Sequence, residues 1–307
     1  MKVTVVIPCH NVEALVANAL DSALAQDHAD LEVIAVDDGS TDGTLRILEG
    51  YAQAHPARVK VIRQANSGAG AARNAGMAAG TGEWLQFLDA DDVILHDKIS
   101  GQLAVAGDAD MVVGDYEQLM PDGLLLSVEA LHGQPWMALI RTRMGTTSAN
   151  LWKRSALEAV GGWNENQASS QDYELLFRLL ASGAQVAWDR RIRTHVLKRP
   201  SGSISVTDVR ANWERYIALR RAIKEHLQQQ DPRRHAREIE VLRQYIFMAL
   251  RIVAVDDLPW AVAEYKRSIG KGFRPEVSKA ITERYALLHN LLGFAGAERV
   301  TRLAKRR

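Results

Sequence analysis

Leu31-Glu32-Val33-Ile34-Ala35-Val36-Asp37-Asp38-Gly39-Ser40-Thr41-Asp42-Gly43-Thr44 decides the architecture. Its first six residues are a short, largely apolar run that reads as a buried strand. Asp37 to Gly43 form a polar turn, and helical spacing starts at Thr44 and runs to Ala54. Asp38, Ser40, Asp42, Gly43, Leu45 and Glu49 also fall at the ligand positions of a calcium loop. The strand before them excludes that reading, because the loop needs an entering helix, and Arg46 stands where a ligand is expected. Ser40, Thr41 or Asp42 suits a helix cap. Capping does not explain the adjacent pair Asp37-Asp38, whose mutual repulsion calls for a compensating interaction.

Working outward, the same alternation repeats. Val3 to Ile7 is a β-branched strand stopped by Pro8, Val12 to Ala25 has helical spacing, and Val59 to Ile62 is a strand. Ala69 to Ala79 is an Ala-rich helix and Glu83 to Leu88 a fourth strand. Strand–helix alternation with short connections predicts an α/β domain with a mostly parallel sheet flanked by helices. Such sheets bind ligands at the carboxyl ends of their strands, where the polar clusters after Ile7, Val36 and Leu88 fall. Further on, Asp110 to Gly114 reads as a strand and Ser170 to Ala181 as an amphipathic helix. Ala184 to Trp188 and Ile192 to Leu197 read as extended, and Pro200-Ser201-Gly202-Ser203 as a loop. From about Val206 three or four long helices follow, interrupted near Asp231-Pro232, Asp256 to Pro259 and Gly272 to Pro275.

Composition narrows the class. In 307 residues, 47% are hydrophobic and 24% charged, the balance of a globular protein and not of a disordered one. No apolar run is long enough to cross a bilayer. Cys9 is the single cysteine, so no internal disulfide forms and a reducing compartment is the simpler setting. With strand pattern starting right after Met1-Lys2, the sequence reads as lacking a signal peptide, and the expected location is cytoplasmic, with peripheral contact at the inner face of the membrane. The formal charge of +1 hides a division. Residues 1–205 hold 17 basic and 25 acidic side chains, a balance of −8, whereas residues 206–307 hold 21 and 12, a balance of +9. Two compositions in one chain predict two parts, 1–205 and 206–307.

Four constellations carry chemistry. Besides the Asp37-Asp38 turn, Asp89-Ala90-Asp91-Asp92 places three carboxylates within four positions at a strand end. That is costly unless a cation or hydrogen-bond donors neutralise them, and the ligand type suits Mg²⁺ or Mn²⁺; the alternative is a solvated acidic turn. Asn66-Ser67-Gly68-Ala69-Gly70-Ala71-Ala72-Arg73-Asn74-Ala75-Gly76 holds Gly68-x-Gly70 at a helix start, open to phosphate, yet Arg73 breaks the dinucleotide pattern. Its small residues suit close packing on a sheet, and Arg73 suits a phosphate or a sugar hydroxyl. Ser169-Ser170-Gln171-Asp172-Tyr173-Glu174 reads as a serine cap with acids in the first turn, or as a general base facing a cleft.

Together these stretches, with Val5-Val6-Ile7-Pro8-Cys9-His10-Asn11 and Gly82 to Asp92, resemble the family 2 glycosyltransferases, inverting enzymes of the GT-A fold that use nucleotide sugars. The four motifs occur in family order and spacing over about residues 3–95, with weaker likeness to about 205. The resemblance implies a Rossmann-like GT-A domain with a C-terminal helical extension. It places Pro8, His10, Asn11 and Asn66 around the nucleotide, with His10 where the family often has an aromatic ring. It has Asp38 hydrogen-bonding the base and Arg73 approaching the donor. Asp91 would bind the divalent metal, Mn²⁺ or Mg²⁺, and Asp89 would contact ribose or metal. Asp172 takes the catalytic-base position, with Gln171 standing where the family usually has Glu and so altering an acceptor contact. His195 matches a position where some members place a further metal ligand.

Around these, Arg190-Arg191-Ile192-Arg193 and Lys198-Arg199 supply cations, one or two of them for a diphosphate, and Pro200 to Ser205 reads as a gating loop. Gly161-Gly162-Trp163-Asn164 forms the turn before the base helix, with Trp163 either stacking on an acceptor or packing in the core. The expected partners are a nucleotide-sugar donor, UDP-linked, and a glycan or lipid-linked acceptor, with no nucleic acid. The basic C-terminal helices suit a membrane surface, acceptor or second subunit. The rival readings are a non-catalytic nucleotide-sugar-binding module and a nucleotidyltransferase on a related fold. The second would need a Gly-rich basic loop after the first strand, where Pro8-Cys9-His10-Asn11 stands instead.

Overall fold

The computed structural model describes residues 1–198 and 208–305. The gating loop expected at Pro200 to Ser205, and Arg199, lie outside the described residues. By contacts the chain divides into two units, Met1–Ile204 and Ser205–Arg307.

The first unit runs β1 (Val3–Cys9), α1 (Val16–Leu24), β2 (Leu31–Asp38), α2 (Thr44–Ala54), β3 (Val59–Gln64), α3 (Ala69–Ala79), β4 (Trp84–Phe87) and β5 (Val93–Ile94). It continues through α4 (Lys98–Ala106), β6 (Met111–Gly114), β7 (Tyr116–Leu119), β8 (Leu125–Val128), α5 (Pro135–Ile140) and β9 (Leu151–Lys153). It closes with α6 (Arg154–Ala159), α7 (Gln171–Ala181), β10 (Val186–Asp189) and β11 (Thr194–Leu197). A seven-stranded sheet has the order β10-β6-β9-β4-β1-β2-β3. All its pairs are parallel except those of β9, which lies antiparallel between β4 and β6. Strands buried on both faces read as near-continuous apolar runs, as Val5–Ile7 and Val33–Val36 do. Pro8 does not stop β1, which pairs with β2 as far as Cys9↔Asp37. It is tolerated because pairing with β4 has ended at Val6↔Phe87, so one side of the strand no longer carries a ladder.

Order β4-β1-β2 sets three loops side by side at the carboxyl ends: Cys9 to Asn11, Gly39 to Gly43, and Leu88 to Asp92. A smaller sheet, β5-β11-β7-β8, stands beside the third loop, because β11 pairs antiparallel with β5 through Thr194↔Ile94 and His195↔Val93. Helix α3 lies close on the large sheet. A Cβ at Gly76 would sit 2.3 Å from Val6 Cγ1 and 3.2 Å from Val36 Cγ2, so only glycine fits there.

The second unit is helical: α8 (Val209–Gln230), α9 (Ala236–Ala254), α10 (Leu258–Ser268) and α11 (Glu283–Lys305). Its core gathers Phe247, Phe273, Tyr285 and Phe294 with aliphatic neighbours, and Tyr265 stacks on Phe294 at 4.7 Å. Helix α11 is broken at Gly293, which takes φ 67° and ψ 178°.

Overpacking a tight helix–sheet contact costs about 1–3 kcal/mol. Gly76→Ala is therefore expected to lower unfolding stability by about that amount, measured by urea titration. A wild-type midpoint would show that α3 can lift from Val6 without loss.

Candidate active site

A cavity of about 590 Å³ opens at the carboxyl ends of β1, β2 and β4, bordered by Pro8, His10, Asp38, Arg73, Asp89 and Asp91. Asn66, the β11 residue Val196 and Lys198 just beyond that strand also border it. The structure thus brings seven of the nucleotide- and metal-binding candidates to one cavity.

Each is held by identifiable bonds. Asp38 is buried, and its carboxylate accepts from Gln64 Nε2, from the Ser67 amide and from the Gly68 amide, all at 2.8 Å. The two amides leading into α3 are therefore already taken by a carboxylate, an arrangement the helix dipole favours. Of about four acceptor positions on a carboxylate, three are used, which leaves about one for a ligand. His10 Nδ1 donates to the Asp38 carbonyl at 2.8 Å, so Nε2 is left to accept from Asn11 Nδ2 at 3.3 Å and Asn66 Nδ2 at 3.2 Å. Asn11 has φ 51°, a left-handed conformation that Asn tolerates. Its Oδ1 accepts from the Thr41 amide at 2.8 Å, binding the β1 loop to the β2 loop. Asn11 builds the rim without bordering the cavity. Asp42 accepts from the Thr44 amide at 2.9 Å and the Glu13 amide at 3.2 Å.

Arg73 is only 6% exposed. Its Nη2 meets Asp89 Oδ1 at 2.7 Å, its Nη1 donates to Gln171 Oε1 at 2.8 Å, and its Cζ lies 4.5 Å from the Trp163 ring centre. One side chain joins the third strand-end loop to the first turn of α7. Gln171 thus faces Arg73. Trp163 is 2% exposed and meets Phe87 edge-on at 5.1 Å. The structure settles its two sequence readings in favour of the core: no face is left for an acceptor. Neighbouring Asn74 holds the same turn, accepting from the Trp163 amide at 2.9 Å and donating to the Trp163 carbonyl at 2.9 Å.

Asp172 sits in the first turn of α7, partly buried, and accepts from the Tyr173 amide at 2.8 Å. Burial pushes its carboxyl above the ordinary carboxylate range, against the opposing pull of that amide and of Arg73. Burial, and next the charge of Asp172, raises the Tyr116 hydroxyl as well. Ser170 does not cap α7 through its side chain. It takes the left-handed φ 57°, and its carbonyl accepts from Glu174.

The acidic turn is resolved residue by residue. Asp89 pairs with Arg73, and its amide donates to Ser148 Oγ at 3.1 Å. Asp92 is buried, with Ser148 Oγ donating to it at 2.6 Å and the Leu197 amide at 3.0 Å. Burial, then the Asp89 charge, drives its carboxyl well up. Asp91 borders the cavity. Among the described residues no three His, Cys, Asp or Glu side chains converge as a metal cage. Two carboxylates at the mouth of a cavity fit a hard divalent ion that completes its shell with ligand oxygens and water. His195 does not border the cavity; its Nε2 lies 3.3 Å from Glu117 Oε2. Arg193 is likewise engaged elsewhere, paired with Asp189 at 2.9 Å and buried, whereas Lys198 reaches the rim.

Sequence reasoning passed over Gln64, Ser148 and Asn74. Asn74 follows Arg73 on the same helix and offered a local signal. Ser148 lies in an irregular stretch with none, and Gln64 looks like any polar strand end.

With this geometry in view, comparison with known proteins decides the family. The glycosyl transferase family 2 model matches residues 4–123. Those residues belong to glycosyl transferase family 2. The family 2 segment is 43% identical over 112 residues to an uncharacterized glycosyltransferase of Nostoc sp., which covers 36% of this chain. The chain spans about a third, 35%, of that relative's length. Among solved structures, S. aureus TarS 1–349 in complex with UDP-GlcNAc matches with a TM-score of 0.63 at 18% identity, covering 88% of this chain and 89% of that one. The mannosyltransferase PcManGT from Pyrobaculum calidifontis, in complex with GDP-Man and Mn²⁺, matches with 0.57 at 18% identity, covering 100% and 88%. The fold is that of the GT-A glycosyltransferases. Helices follow it, and no helix among the described residues is long and apolar enough to cross a membrane.

Removing the Asp38 carboxylate leaves buried donors unpaired at a cost of about 1–3 kcal/mol. Asp38→Ala is expected to lose about that much stability and to weaken nucleotide binding, by thermal unfolding and calorimetry. Unchanged unfolding would show that the Ser67 and Gly68 amides do not depend on it.

Proposed function

We propose that this protein is an inverting glycosyltransferase moving a sugar from a nucleotide-sugar donor, UDP-linked, to a hydroxyl of a glycan or lipid-linked acceptor. One observation carries the reading. The Arg73 contacts with Asp89 and Gln171 join the cavity to the helix that presents Asp172, so a donor site and a carboxylate base are built as one unit.

In this reading the base ring lies at Pro8, His10 and Asn66, with Asn11 holding the loop behind them, and takes the remaining acceptor position of Asp38. Lys198, just after β11, and Arg73 of α3 face the diphosphate. Asp91, with Asp89, would hold Mn²⁺ or Mg²⁺, which when bound neutralises the charge of the departing nucleoside diphosphate; PcManGT, of like fold, is described with Mn²⁺. TarS is described with UDP-GlcNAc, which supports a UDP-linked donor. Asp172 accepts the proton of an acceptor hydroxyl as its oxygen attacks the anomeric carbon. The bond to the donor phosphate breaks on the opposite side, and configuration inverts. The raised Asp172 carboxyl is a stronger base than one in water. Gln171, turned to Arg73, positions the base helix, and an acceptor contact through it is secondary.

The base is competent only when ionised. Activity is therefore expected to fall as pH drops through the raised Asp172 value, with an acid limb above the ordinary carboxylate range. Asp172→Asn should lower kcat by about 10²–10⁴-fold while a thermal-shift panel still shows nucleotide-sugar binding that needs Mn²⁺ or Mg²⁺. Full activity in that variant would sink the base assignment, and binding without turnover in the unmodified protein would favour a binding module. Chelation of the divalent ion is expected to abolish both the donor-induced shift and turnover.

A further inference from the structure

The exposed side of α11 before Gly293 carries leucines where a solvent-facing helix is normally polar. Tyr285, Ala286 and His289 turn inward and are buried. Away from them, among the exposed Glu283, Arg284 and Asn290, Leu287 is 60% exposed and Leu291 71%, and Leu292, in the last turn before the break, is 52% exposed. Scattered exposed leucines are ordinary, but three within six positions form a patch. Arg284, Leu287 and Leu291 fall at i, i+3 and i+7, one stripe of the helix, and Arg284 is exposed with them. The break at Gly293 follows directly, after which Phe294 returns to the core. Leu291 and Leu292 thus end the helix segment pointing outward.

The geometry points to a docking surface for an anionic lipid bilayer, formed by Leu287, Leu291 and Leu292 with Arg284. Charge chooses the occupant. Residues 206–307 carry 21 basic and 12 acidic side chains. Several arginines are spent on internal pairs, such as Arg251 with Glu298 and Arg243 with Glu240. Lys279, Arg284 and Arg299, which flank the patch along the chain, remain exposed. A second copy would bring two units of +9 together through this face, which like-charge repulsion opposes. An anionic leaflet supplies opposite charge for the arginine and lysine and an apolar boundary for the leucines. A helix of this kind lies in the interface plane and does not span it. The inference is independent of the donor and acceptor chemistry.

Vesicle co-sedimentation of the full chain tests it, with phosphatidylcholine vesicles against vesicles mixing phosphatidylcholine and phosphatidylglycerol. Binding is expected to the anionic vesicles only, and to weaken at high salt. Leu287→Ser/Leu291→Ser should weaken it about tenfold or more with an unchanged thermal midpoint, since both side chains are exposed. Arg284→Glu should weaken it as well. Absence of vesicle binding, equal binding to neutral vesicles, or undiminished binding by the double variant would each overturn the proposal. So would a concentration-dependent dimer that the double variant dissolves, because the face would then belong to a second copy.

Discussion

The buried guanidinium of Arg73 is the contact on which the site depends. Burying an arginine is costly unless its donors are met, and here two of its three nitrogens find partners. Nη1 reaches Gln171, 98 positions away in sequence, and Nη2 reaches Asp89. The planar group also lies over Trp163, whose own burial is secured by Phe87 and Trp152. The Nε has no protein partner. A lysine would supply the charge without this fork. The consequence is geometric. Helix α7 starts where Arg73 holds Gln171, and Asp172 is the next residue, so Asp172 takes its position from a residue of α3.

The acids at the strand ends show how one fold tolerates a concentration of like charge. Each carboxylate is relieved by a different means. Asp38 takes three hydrogen-bond donors, Asp89 takes an arginine, and Asp92 takes burial, a hydroxyl and an amide, with its carboxyl pushed toward the neutral form. Asp37 is buried with one oxygen lacking a hydrogen-bond partner, and its charge helps to raise the already buried Cys9 thiol. Asp38, Asp89 and Asp91 all border the cavity, so three carboxylates of the strand ends meet at one opening.

What the sequence shows clearly is what is encoded locally. The apolar strand runs, the helices starting at Thr44 and Ala69, and the polar strand ends depend on neighbours within a few residues, and they stand where periodicity put them. The three-residue strand β9 carries too little period to detect, yet it separates β4 from β6 and makes part of the large sheet antiparallel. Of the smaller sheet only β11 is legible, in the extended run Ile192 to Leu197; its partners are strands of two and four residues paired across long intervals. At the site, Asp38, Asp89, Asp91 and Arg73 stand out as residue types that are costly without partners. Ser148 does not, since a serine gains its role only when folding brings it between Asp89 and Asp92. Trp163 shows the limit from the other side: a tryptophan next to two glycines suits a binding surface or a core, and only its neighbours in space decide.

The division of charge along the chain takes on physical meaning once partners are assigned. In the first unit much of the positive charge is consumed inside: Arg193 by Asp189 and Asp97, Arg178 by Glu174, Arg73 by Asp89. At the cavity, an approaching nucleotide diphosphate would meet Asp89 and Asp91, with Lys198 an exposed cation on the rim. Two anionic groups do not share a cavity without a counter-charge. A divalent cation held by Asp89 and Asp91 would supply that counter-charge more compactly than further lysines would. The same reasoning explains why the basic surplus lies in the other unit. Placed around the cavity it would neutralise the carboxylates and compete for the donor, whereas it is spread over the helical unit, with Arg284 of α11 exposed near Leu287 and Leu291.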